Sequence, residues 1–224
     1  MPPQPSSGDD GSMPESTTTD PLASPPPHQG SETYAATLTI DYPDRGLNRV
    51  STLLRIFWII PIGIVLATIG SHKAAGGALL AVPVLLMIVF RQKYPRWWFN
   101  FNLEFVRFET RVFSYLALMN DRYPSTDEDQ SVHLDVAYPD VKQDLNRWLP
   151  LVKWLLAVPH YIVLVFLAIG AAIAVTIAWF AVLFTGKYPR GLFNFVEGVF
   201  RWGLRVEAYA FLLVTDQYPP FRLR

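Results

Sequence analysis

From Leu149 to Phe184 the chain is apolar, with Lys153 and His160 its only basic or acidic residues. A run of this kind belongs in lipid. A membrane-crossing helix needs about 20 residues, so the run predicts a tight hairpin of two rather short spans, turning at Gly170. An earlier pair of apolar segments, Val50 to Gly70 and Ala74 to Phe90, is divided by Ser71-His72-Lys73 and predicts a second hairpin. Pro61 and Pro159, at equivalent depth, are expected to kink the first helix of each hairpin by removing a backbone donor. The charged fraction of 17% is well below the roughly one quarter usual in soluble domains. The absence of cysteine excludes a disulfide scaffold, a thiolate zinc site and a cysteine nucleophile.

The two apolar regions sit in two similar stretches of chain. Tyr42-Pro43-Asp44 matches Tyr138-Pro139-Asp140, Asn48-Arg49 matches Asn146-Arg147, and Arg55 matches Lys153. Lys93-Tyr94-Pro95-Arg96 recurs as Lys187-Tyr188-Pro189-Arg190, Phe99-Asn100-Phe101 as Phe193-Asn194-Phe195, and Arg107, Arg111 and Tyr115 as Arg201, Arg205 and Tyr209. The expectation is one unit of roughly 95 residues present twice, at 32–125 and 132–224, joined by an acidic linker at 126–131. Each unit opens on a period-two stretch, Ala36-Thr37-Leu38-Thr39-Ile40 or Val132-His133-Leu134-Asp135-Val136, that reads as a half-buried strand. The two strands are expected to pair.

The third element of each unit is amphipathic. At 100° per residue, Arg96, Asn100, Glu104, Arg107, Arg111, Ser114 and Tyr115 fall within about 100° of arc. Arg190, Asn194, Glu197, Arg201, Arg205 and Tyr209 repeat the stripe, with Gly198 in place of Glu104. Flanked by Trp97, Trp98 and Trp202, such a helix suits the headgroup layer; the alternative, a third span, would bury two arginines per unit. With the third helices on the surface, the basic residues flank each hairpin on one side. The positive-inside rule then predicts four spans with both termini in the cytoplasm.

Arginine forks match phosphate oxygens, so the candidate lipid-headgroup contacts are Asn100, Arg107, Arg111, Tyr115, Asn194, Arg201, Arg205 and Tyr209. The plainer reading is snorkelling or pairing within the protein, for instance Arg107 with Glu104 or Arg205 with Glu197. The Lys-Tyr-Pro-Arg motifs read as structural corners, since proline holds the preceding tyrosine extended. His160 reads as a neutral histidine bonding a carbonyl freed by Pro159; an ionisable residue at such depth is otherwise a functional candidate. No phosphate loop, dinucleotide fingerprint, HExxH or nucleophile elbow is present, and the glutamates lack any catalytic spacing. No enzyme activity, cofactor, metal or nucleic-acid partner is expected.

All seven charged residues before Arg45 are acidic, which leaves 19 basic against 12 acidic residues in the remainder. The leader, 1–31, holds eight prolines among Ser, Thr, Gly and Asp and is expected to be disordered. It has neither the basic start nor the apolar core of a secretory signal.

The Tyr-Pro-Asp openings, the Asn146–Trp154 run Asn-Arg-Trp-Leu-Pro-Leu-Val-Lys-Trp, Pro159-His160-Tyr161, the repeated Lys-Tyr-Pro-Arg and Phe-Asn, and the Asp-x-Tyr-Pro closings together resemble a bacterial membrane family, domain of unknown function 4389. The resemblance covers Tyr34 to Phe221, is closer in the second unit, and implies an integral membrane domain without an activity to carry over. The expected fold is an all-α membrane protein of two tandem repeats, each a transmembrane helical hairpin plus an amphipathic interfacial helix, with short cytoplasmic β-strands. Its expected place is the bacterial cytoplasmic membrane. The favoured role is a scaffold or accessory subunit contacting anionic lipid, a membrane-protein partner or a second copy through a basic cytoplasmic face. The alternative is a lipid-handling or transport component with a path between the repeats.

Overall fold

Alternation decides the strands. Ala36–Ile40 (β1) and Val132–Val136 (β2) each bury every second residue and pair antiparallel with Leu38 opposite Leu134, so both apolar faces reach one core. The computed structural model describes residues 34–43, 46–74, 77–125 and 131–223, all within one compact unit, Thr33–Arg224; at 56, 65–74 and 77–80 it describes the backbone only. The expected leader and nearly all of the linker lie outside the described residues.

The rest is helical: α1 (Arg49–Ala74), α2 (Gly77–Leu86) running into a π-helical turn (Met87–Arg91), α3 (Arg96–Leu116), α4 (Pro150–Leu156), α5 (Val158–Thr185) and α6 (Arg190–Ala210). Pro95 and Pro189 are the N-caps of α3 and α6, where a missing N–H costs nothing. Gly186 ends α5 in the left-handed region, at φ 72°, as a residue without Cβ does readily. Helix α3 ends differently. Leu118 takes φ 63° and Met119 N–H reaches back to Ser114 O, a Schellman closure with leucine where glycine is usual.

Three expectations need correction. Helix α5 runs unbroken through Gly170 for 28 residues, so there is no turn at that glycine and no hairpin between Leu149 and Phe184. The Phe195 ring lies 3.4 Å from where a Gly170 Cβ would stand; the glycine serves a close approach of α6. Pro159 opens α5 after a break at Ala157 and does not kink a longer span. Ser71-His72-Lys73 belongs to α1, which runs to Ala74, and does not separate the first pair of helices; α2 starts at Gly77. Among the described residues, α5 is the one helix both long and apolar enough to cross a membrane, and it points to membrane association.

The layers follow from α6. Tyr34, Leu38, Ile40 and Tyr42 meet Arg205, Arg201, Glu197 and Phe193 in turn, so β1 runs antiparallel along the whole helix. On a largely opposite face, His160 meets Trp202 and Gly170 meets Phe195, so α5 is also antiparallel to α6. Strand, α6 and α5 therefore share one axis in three layers. Strand β2 lies on α3 in the same manner. Each strand thus covers the third helix of the other half of the chain.

Candidate functional site

The polar stripes of α3 and α6 face the sheet. Arg107 donates from Nε to Leu134 O at 2.9 Å and pairs with Glu104 at 2.7 Å. Arg201 donates from Nε to Leu38 O at 2.9 Å and pairs with Glu197 at 2.7 Å. Glu197 also accepts the Ile40 N–H. The expected Arg205–Glu197 pair is thus an Arg201–Glu197 pair, one turn earlier. Arg111 donates to Ser125 O and Arg205 to Arg222 O. Burial among like charges, Arg222 and Arg201, pushes the Arg205 pKa down, yet a guanidinium stays charged.

These contacts revise the headgroup assignment. Tyr115, Tyr209 and Arg205 are buried and cannot reach a headgroup; Arg107, Arg111 and Arg201 spend donors on carbonyls of their own chain. Only Asn100 and Asn194 of the eight candidates are exposed. The stripe pins strands to helices, which is the plainer of the two readings it allowed.

Two buried cations form matching locks. Arg55, 2% exposed, pairs with Asp121 at 2.5 Å, donates to Tyr115 O and stacks 4.3 Å from the Tyr115 ring. Lys153, fully buried, pairs with Asp216 at 2.7 Å, donates to Thr215 O and sits 5.2 Å from the Tyr209 ring. Each carboxylate also accepts a backbone N–H, from Asn48 or Asn146. Sequence reasoning missed Asp121 and Asp216 as lock residues, although the repeated Asp-x-Tyr-Pro closings carried the signal.

The corners are reciprocal as well. Tyr42 OH donates to Tyr188 O while Arg190 lies 4.5 Å over the Tyr42 ring; Tyr138 OH donates to Tyr94 O while Arg96 lies 4.4 Å over the Tyr138 ring. Tyr94 and Tyr188 are buried, and burial raises both phenols well above their ordinary range, as it does for Tyr34.

His160 is fully buried. Its Nδ1 accepts the Trp202 indole N–H at 3.1 Å, and its ring stacks on Phe221 at 4.0 Å. The expected carbonyl partner is absent. The ring instead anchors the C-terminal segment, whose Leu223 Cβ and carbonyl oxygen lie 2.9 Å from where a Gly198 Cβ would be. That contact explains glycine where the first half has Glu104.

Two kinds of hollow remain. An apolar groove of about 670 Å³ lies between α3, α5 and α6, floored by Ala168, Ala171 and Ala172 with Glu109 and Glu207 in its lining. An open pocket of about 650 Å³, with charged side chains in its lining, lies at the Lys93-Tyr94-Pro95-Arg96 corner. Among the described residues no group of three or more His, Cys, Asp or Glu is placed to hold a metal ion. No curated protein and no solved structure matches the chain. Residues 148–222, about a third of the chain and all within its second half, match the family model described as Domain of unknown function (DUF4389).

Proposed function

We propose that the chain is a non-enzymatic membrane scaffold of two tandem copies, seated in the bacterial cytoplasmic membrane and contacting anionic lipid or a membrane-protein partner through a basic cytoplasmic face. The observation that carries this reading is the three-layer order of β1, α6 and α5. The outer side of α5 exposes Ile162, Phe166, Ile169, Ile173, Ile177, Phe180 and Phe184, whereas the outer side of the sheet exposes Thr37, Thr39, His133 and Asp135. If α5 stood along the bilayer normal, the sheet, which runs along the same axis, would stand beside it in hydrocarbon, where Asp135 alone costs about 2.5–3.5 kcal/mol. With all three elements in the membrane plane, the sheet faces water and α5 faces lipid. The second half is then an in-plane apolar layer, in place of two spans, and α6 keeps its interfacial position.

A chain without cysteine gives a direct test. Gln143→Cys and Lys187→Cys flank α4 and α5, and Ile169→Cys sits midway on the exposed face. An impermeant maleimide should reach the two flanks from one and the same side and Ile169→Cys from neither. Flanks labelled from opposite sides would mean a single crossing by α5. Labelling of Ile169→Cys from the far side would restore the hairpin. The apolar groove between α3, α5 and α6 favours a second reading, a path for lipid chains between the copies; Ala172→Trp, which narrows it, should then lower co-purified lipid.

A further inference from the structure

The chain turns sharply at two corners of identical sequence, and they differ in what surrounds them. At the second, Leu47 N–H bonds Gly186 O at 2.9 Å and Arg49 Nη2 bonds Phe184 O at 3.2 Å, so the chain closes over itself. Thr185 and Gly186 stand there where the first corner has Arg91 and Gln92. At the first corner the same turn opens into the pocket of about 650 Å³, lined by Arg91, Lys93, Arg96 and Lys142 with Asp140 as its only carboxylate. Four cations against one carboxylate make the hollow strongly electropositive. Among the described residues none of the four is in an ion pair, unlike Arg55, Arg107, Lys153 and Arg201.

The walls are fixed before any ligand arrives. Gln92 N–H bonds Ile88 O and Lys93 N–H bonds Met87 O, which set the turn with Gln92 in the left-handed region. Asp140 accepts the Lys142 N–H and donates its own to Asp144, which sets the facing loop. Arg96 is held over the Tyr138 ring. Arg96, which lines the pocket, is the first residue of α3, so the positive end of that helix dipole lies at the pocket as well. Next to the pocket along the chain, Phe90 and Trp97 are 71% and 70% exposed, an apolar and aromatic rim of the kind found where protein meets the headgroup layer.

We infer that this pocket binds the phosphate of an anionic phospholipid, with Arg91, Lys93, Arg96 and Lys142 as its donors. The turn itself does not require Arg91 or Lys142, because the second corner makes the same turn with Thr185 and Gly46 at those positions, while Lys93 and Arg96 are shared with it as Lys187 and Arg190. Guanidinium forks and ammonium groups around one hollow suit phosphate oxygens, and the exposed rim places that phosphate on a lipid and not in bulk water. The inference rests on the membrane-seated reading above and gives its lipid contact an address, in place of the α3 and α6 stripes.

Flotation with vesicles of phosphatidylcholine alone, or with phosphatidylglycerol added, tests it on the full chain. The wild type should float with both and bind the mixed vesicles more tightly. Arg91→Gln with Lys142→Gln should keep the first and lose about tenfold of the second. A control pair that removes two exposed cations elsewhere, Lys187→Gln with Arg222→Gln, should lose much less. Equal loss in both pairs would mean unspecific attraction, and unchanged preference in the Arg91/Lys142 pair would mean no site; either result overturns the inference while leaving the membrane seat intact. Competition by millimolar inorganic phosphate, without loss of flotation on phosphatidylcholine, would assign the pocket to a soluble anion and also overturn it. A wild type that floats with neither vesicle would instead sink the membrane-seated reading.

Discussion

Lys153 and Asp216 show how little margin a buried charge has. The ammonium is fully buried and the carboxylate 21% exposed, so loss of the carboxylate strands a cation, whereas loss of the cation leaves an anion that still accepts the Asn146 N–H. Asp216→Ala should therefore cost about 3–5 kcal/mol and Lys153→Met distinctly less, read as thermal unfolding in detergent. The opposite order would mean that the lock contributes by packing alone. The phenols give a pH dependence. Tyr34, Tyr94 and Tyr188 are buried with pKa values raised above their ordinary value near 10, so the folded state keeps protons that the unfolded chain releases. Their contribution is complete below about pH 10 and is lost above it. Three such groups give a slope approaching about 4 kcal/mol per pH unit. Tyrosinate absorbance should show these phenols titrating together with unfolding.

At the level of elements, the C-terminal segment is held by fit. A Gly198 Cβ would fall 2.9 Å from Leu223 Cβ and its carbonyl oxygen, and backbone cannot rotate out of the way. Gly198→Ala should cost about 1–3 kcal/mol and expose the last residues to carboxypeptidase, with Phe221 lifting off His160. Elements with a strict period were legible from sequence: both strands, their pairing, and the starts of α3 and α6 at Arg96 and Arg190. The second apolar run was not, because Leu149–Phe184 is apolar on every side and periodicity cannot distinguish two short helices from one long one. The arginine stripes were legible as stripes but not as contacts. Their partners, Leu38 and Leu134, lie far away in sequence, and an interfacial helix and a strand-pinning helix carry the same polar face. The basic pocket was hidden for another reason: it exists where the two corners differ, and a search for repetition passes over differences.

For the whole molecule, the informative contacts are those exchanged between halves. Thr37 faces Asp135 across the sheet and both are exposed. Paired Cα atoms in a ladder fall within disulfide range, so Thr37→Cys with Asp135→Cys should oxidise to a species that runs as a monomer on a non-reducing gel and melts higher. A covalent dimer would show instead that the strands pair between chains. Neither half finishes itself: β1 covers α6, β2 covers α3, Tyr42 docks at the Tyr188 corner and Tyr138 at the Tyr94 corner. Severing the polypeptide between Ser125 and Ser131 should yield fragments that behave like a split reporter, each insoluble or misfolded when expressed alone and both recovered through a tag on one when made together. Drift in one half is thereby answerable to the other, so compensating changes belong across the two halves and not within one of them.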